Sequence, residues 1–97
     1  MARRSSRVER DLRTLGTQLS GWRKVQGLTA AVVAERAAIS PQTLSALENG
    51  RSTTTANLLS VLRALGVAET VLDALDPLAS DLGRANAARL STDRVRP

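Results

Sequence analysis

Between Leu28 and Gly50 the chain reads LTAAVVAERAAISPQTLSALENG, and its punctuation dictates where helices begin and end. Thr29 is of the type that caps a helix, its hydroxyl accepting from an N–H that the first turn leaves free. It opens a short segment from Ala30 to Ala37, with Val32 or Val33 and Ala37 turned inward. Ala38-Ile39 makes the turn, Ile39 plugging a core. Ser40 then caps a second segment. Pro41 takes its first position, where no N–H is needed and the ring already holds a helical φ. Leu44 and Leu47, three apart, face inward, and Asn49-Gly50 closes the segment. Two short amphipathic helices thus meet across a tight turn.

The flanking sequence supplies more helices to pack on this pair. Over residues 8–26, Leu12, Leu15, Leu19 and Trp22 recur at spacings of three and four and line one helical face, with Arg10, Arg13, Gln18 and Lys24 elsewhere. Gly27 ends that helix. Gly16 inside it is either a weak point or a place where another backbone comes close. One threonine of Thr53-Thr54-Thr55 caps a fourth helix at about 56–65, burying Leu58, Leu62 and Leu65 and closed by Gly66. A fifth, from Ala68 to Leu75, carries Val71, Leu72 and Leu75 before Asp76-Pro77 breaks it. Beyond Pro77, Leu78 and Leu82 either pack back or dock on a partner, and residues 85–97 read as a flexible tail.

With 97 residues and a single aromatic, Trp22, there is room for one small domain whose core must be leucine, valine, isoleucine and alanine. No alternating run reads as a strand, so the expectation is all-α. Cysteine and histidine are both missing. That leaves no disulfide, no Cys/His zinc site, no Cys/His nucleophile pair and no catalytic constellation, so neither enzyme activity, metal nor cofactor is expected. No apolar run approaches the roughly 20 residues of a membrane span, and a cytoplasmic location is the expectation. The net charge of +5 is unevenly spread. Residues 1–27 hold seven cations and two anions, residues 28–65 three and two, residues 66–97 four and five. A basic first third suits a polyanion, while a near-neutral last third suits other engagements.

Short paired helices in this layout form a helix-turn-helix, whose second helix lies in the DNA major groove. The sequence resembles the Cro/C1-type (XRE) helix-turn-helix family of phage and bacterial regulators. Leu28-Thr29, Ala34-Glu35, Ala37, Ile39-Ser40, Thr43, Ser45 and Glu48-Asn49-Gly50 carry the resemblance, supported by Arg23 upstream and Leu65-Gly66-Val67 downstream. It implies a compact five-helix, lambda-repressor-like DNA-binding domain over residues 8–76, with the helix-turn-helix at 29–49, a basic arm at 1–7 and a C-terminal extension at 77–97. It also implies an ion pair between Arg23 and Glu48 that joins the first helix to the end of the recognition helix. The chain departs from the family at three places. Ala30 stands where a glutamine is usual, Ala38 where glycine is common at the turn, and Ala46 where a long polar residue often faces DNA.

With Leu44 and Leu47 inward, Pro41, Gln42, Thr43, Ser45 and Ala46 are the base-reading candidates. Gln42 has the reach to bond an adenine edge in bidentate fashion, or is simply an exposed glutamine. Pro41 and Ala46 offer apolar contact to a thymine methyl. Thr43 and Ser45 reach a phosphate or a base, and Ser45 can instead bond its own helix. Thr29 with the free N–H groups of its helix, Arg36, Asn49, Arg51 and Thr53 are the phosphate candidates, those from Asn49 onward by the resemblance. Arg3, Arg4 and Arg7 lie along a groove or form a solvated tail.

So few base contacts call for two copies on adjacent half-sites, hence a homodimer on a double-stranded operator. Repression is the expected role, since nothing in the sequence looks like an activation or small-molecule-sensing domain. Val67, Val71, Leu75, Leu78 and Leu82 are the candidate pairing residues. The stretch from Leu75 to Arg84 also resembles the extension of small antitoxins that accompany HipA-like kinase toxins. That resemblance implies the alternative of an antitoxin that binds such a kinase and represses its own operon.

Overall fold

The protein, seen here in a computed structural model, is described over residues 5–92. Six α-helices follow one another: α1 (Ser6–Val25), α2 (Ala30–Ala37), α3 (Pro41–Glu48), α4 (Thr55–Ala64), α5 (Ala68–Leu75) and α6 (Asp81–Ala85). Two 3₁₀ turns, Pro77–Ala79 and Ala87–Ser91, flank α6. No strand occurs among the described residues, and the fold is all-α. None of these helices is long and apolar enough to cross a membrane. Arg3 and Arg4 of the expected arm lie outside the described residues, whereas Arg7 is already in the first turn of α1.

Hydroxyl caps start the first four helices. Ser5, Thr29, Ser40 and Thr54 accept from the backbone N–H of Val8, Val32, Thr43 and Asn57 at 3.2, 3.2, 3.0 and 3.0 Å. Each such bond satisfies a donor the helix cannot, worth about 1 kcal/mol. The ends are as uniform as the starts. Gly27, Ala38, Gly50 and Gly66 adopt φ of 71°, 57°, 87° and 77°. The next residue's N–H then returns to the last turn: Leu28 to Arg23 O at 3.0 Å, Ile39 to Ala34 O at 3.0 Å, Arg51 to Ala46 O at 2.9 Å and Val67 to Leu62 O at 2.9 Å. This is the Schellman closure, in which the returning residue commonly packs back on its helix. Leu28, Ile39 and Val67 do pack against the core. Arg51, in the same position after α3, is exposed.

Ala38 is the one non-glycine residue with positive φ among those described. Its Cβ crowds the carbonyl in that conformation. Ala38→Gly is therefore expected to stabilise the fold by about 1 kcal/mol, read from the urea midpoint. An unchanged or lowered midpoint would show that the turn carries no strain.

The core centres on Leu44, Leu47, Val33 and Val61, all less than 2% exposed or nearly so, joined by Leu19, Ala34, Leu62 and Leu65. Val33 is thus the inward valine of α2. Leu58 packs at the edge of the cluster, and Val61 takes the central place on α4. Helix α2 packs on α3 and α4, and α1 crosses α3. The crossing occurs at Gly16, where an added Cβ would lie 2.5 Å from the Leu47 carbonyl oxygen and 2.6 Å from that of Glu48. Gly16 is a point of backbone contact and not a defect in the helix.

Three sequence expectations shift. Trp22 shares the apolar face of α1 but is 49% exposed, because it lines an open groove between α1 and the ends of α4 and α5. Leu72 and Leu75 face outward from α5, whose contact with the core is made by Ala68 and Val71. Of the stretch 85–97 that the sequence reads as a flexible tail, residues 85–92 form the end of α6 and a further 3₁₀ turn, and residues 93–97 lie outside the described residues. Local hydrogen bonds build this extension without a core. Asp76 accepts from Leu78 N at 2.9 Å, Ser80 from Gly83 N at 2.9 Å, and Asn86 Nδ2 donates to Leu82 O at 2.9 Å.

Candidate nucleic-acid interface

Capping and closure set the direction of α3, and its amphipathic pattern then decides which side chains are left outside. Pro41, Gln42, Ser45, Ala46, Asn49 and Arg51 line one open groove with a cavity volume of about 460 Å³. Small side chains at Ser45 and Ala46 sit between Gln42 near the start of the helix and Arg51 past its end. Arg51 is the only charged residue in this lining, so the groove is positive at one end. Its exposure follows from the closure of α3, which puts an arginine where the three sister turns bury an apolar side chain.

Thr43 does not join the groove lining. It is half-buried, and its hydroxyl lies 2.8 Å from the Ser40 Oγ that caps the helix. Ser45 Oγ remains exposed, 3.4 Å from Asn49 Nδ2. Asn49 Nδ2 donates to the Ser45 carbonyl at 2.8 Å, so that amide helps close the helix while facing the groove. Thr29 is exposed at the start of α2 with its oxygen engaged by Val32 N, which leaves its O–H free to donate. Arg36 is exposed in the last turn of α2. Thr53 is half-buried and accepts from Asn57 Nδ2 at 3.0 Å, tying the connector to α4.

Behind the groove, Arg23 grips Glu48 with two parallel hydrogen bonds, Nε to Oε2 and Nη2 to Oε1, both 2.9 Å. Arg23 Nη1 also donates to the Leu28 carbonyl at 3.3 Å. The side chains are only 16% and 12% exposed. The hydrogen bond to Glu48 raises the Arg23 pKa above the ordinary arginine value, against the opposing effect of desolvation. This fork fixes the last turn of α3 to α1 and to the entrance of α2. It is a planar, charge-assisted pair of the stronger kind.

Arg13, which the spacing of α1 places off its apolar face, is also a neighbour of this groove. Its Cγ and Cα lie 2.8 and 3.0 Å from where a Cβ on Gly50 would stand, so α1 abuts the residue that ends α3. Spacing along α1 could not reveal that, because the contact is made across the fold.

The sequence profile of the helix-turn-helix domain family matches residues 14–75, from the middle of α1 to the end of α5. No curated protein matches the chain, and no solved structure does.

Proposed function

The chain belongs to the helix-turn-helix domain family, and from that premise we propose that it is a sequence-specific transcriptional repressor working as a homodimer on paired operator half-sites. The observation that carries this reading is the α3 groove, which gathers Gln42, Ser45, Ala46 and Arg51 on one exposed surface. In this reading α3 enters the major groove. Gln42 bonds an adenine edge, Pro41 and Ala46 meet thymine methyls, and Arg51 neutralises a phosphate beside the helix. Thr29, Arg36, Asn49 and Thr53 are the further backbone contacts.

A surface with one long polar side chain for bases discriminates weakly alone, and duplication on two half-sites multiplies the discrimination. Of the five pairing candidates, Leu75, Leu78 and Leu82 are uncovered, at 72%, 46% and 77% exposure. Val67 and Val71 are packed against the core and complete the domain instead. A chain that stays monomeric in sedimentation, with and without DNA, would sink the dimer. The same uncovered leucines favour the second reading, an antitoxin that captures a HipA-like kinase through the extension. A kinase gene of that type beside this one would favour it.

Footprinting on the DNA upstream of the chain's own gene tests the main reading. There, Gln42→Ala is expected to weaken operator binding far more than binding to random duplex, by about 1–3 kcal/mol of discrimination. Arg51→Ala is expected to weaken both alike and to lower the salt dependence by about one unit of slope per bound protomer. Equal losses for Gln42→Ala on both duplexes, or an unchanged slope for Arg51→Ala, would remove that residue from its assigned role.

A further inference from the structure

We propose that the outer face of α1 carries a second phosphate-binding patch, formed by Arg10, Arg13, Thr14 and Thr17, which holds the DNA backbone next to the recognition helix. The proposal rests on the DNA-binding reading and extends it to a surface that reading does not use. Arg10 and Arg13 precede the stretch matched by the family profile, which starts at residue 14.

Three observations converge on this face. Arg10, Arg13, Thr14 and Thr17, with Gln18, line an open groove of about 370 Å³. Every one of these residues is exposed. Its polar groups are guanidinium, hydroxyl and amide donors, and no carboxylate lines it, although Glu9 and Asp11 lie on the same helix. Second, the side chains of Arg10 and Arg13 make no hydrogen bond or ion pair among the described residues, in contrast to Arg23, Arg63 and Arg84. Unneutralised guanidinium groups grouped with hydroxyls form an anion-binding surface.

The third observation is placement. Arg13 packs against Gly50, and the next residue, Arg51, lines the α3 groove. The two grooves are therefore neighbours across the end of the recognition helix, and a duplex seated on α3 leaves its flanking strand beside α1. From Arg10 to Thr17 the helix rises about 10 Å, the span of two or three phosphates along one strand. Arg7, one step earlier at the same three-residue spacing, continues the row towards the N-terminus.

The test uses the full chain and a mixed-sequence duplex long enough for two half-sites, with the binding constant followed against salt concentration. Replacing both arginines, Arg10→Gln with Arg13→Gln, is expected to reduce the slope of log K against log salt by about 1.8 per bound protomer, twice that for a dimer on two half-sites, since each lost phosphate contact removes about 0.9. The double lysine variant should keep the wild-type slope, and Lys24→Gln, at the far end of α1, should leave it unchanged. A wild-type slope in the double glutamine variant, with Arg51→Ala still lowering it, overturns the patch and leaves the DNA reading intact. No binding of the duplex by the wild-type chain overturns both. Because Arg13 packs on Gly50, thermal melting accompanies each variant. Should Arg13→Gln unfold the chain, Arg10→Gln alone carries the test, with an expected slope change of about 0.9 per bound protomer and an unchanged slope overturning the patch.

Discussion

Glu48→Ala should cost about 3 kcal/mol of folding stability, because it leaves the Arg23 guanidinium largely shielded from water with no counter-charge. Both ends of the fork lose their partners at once, and Arg23 Nη1 keeps only the 3.3 Å bond to the Leu28 carbonyl. Glu48→Gln, which keeps the shape and one acceptor, should cost less. Urea denaturation measures both. A loss below about 1 kcal/mol for the alanine variant would mean that the pair behaves like an exposed surface bridge. The pH dependence has a definite sign. Since the folded-state pKa of Arg23 is raised, its contribution is fully present below the unfolded-state pKa of arginine. No loss from Arg23 titration is therefore expected between mildly acidic and mildly alkaline pH.

Gly16→Ala should destabilise by about 2 kcal/mol even though alanine is the better helix former by roughly 1 kcal/mol. The reason is that the new methyl would meet main-chain carbonyls of Leu47 and Glu48 at 2.5 and 2.6 Å, and backbone cannot swing aside as a side chain can. The same helix contains its own control. A Cβ at Gly21 meets nothing within 4 Å, so Gly21→Ala should stabilise by about 1 kcal/mol. Opposite signs for the two substitutions, read from thermal or urea midpoints, are the expected result. Equal gains would show that the α1–α3 contact is loose.

The helix boundaries around the interface were legible because they are set by local chemistry. Thr29, Ser40-Pro41 and Gly50 act on the few residues beside them, and the structure places caps and stops at those positions. Spacing alone identified Leu44 and Leu47 as core, since both inward positions of an eight-residue helix are apolar. The choices that depended on distant neighbours were not legible. Whether Gly16 was a flaw or a contact depended on where α3 crosses. Whether Trp22 was covered depended on how closely α4 and α5 approach α1. Arg51 was a phosphate candidate by the resemblance alone, and the reason for its exposure comes only from setting the closure of α3 beside those of α1, α2 and α4. The extension misled for a different reason: apolar periodicity registers burial, while α6 and its flanking turns are held by Asp76, Ser80 and Asn86 bonding their own backbone.

Main-chain contact at Gly16 and the Arg23–Glu48 fork hold α3 from behind, and neither uses a residue of its outer surface. Address and chassis are consequently separable in this protein. On the proposed repressor reading, exchanging Gln42, Ser45 and Ala46 is expected to retarget the chain to another operator without re-aiming the helix that displays them, and a library confined to those three positions would vary specificity on a constant frame.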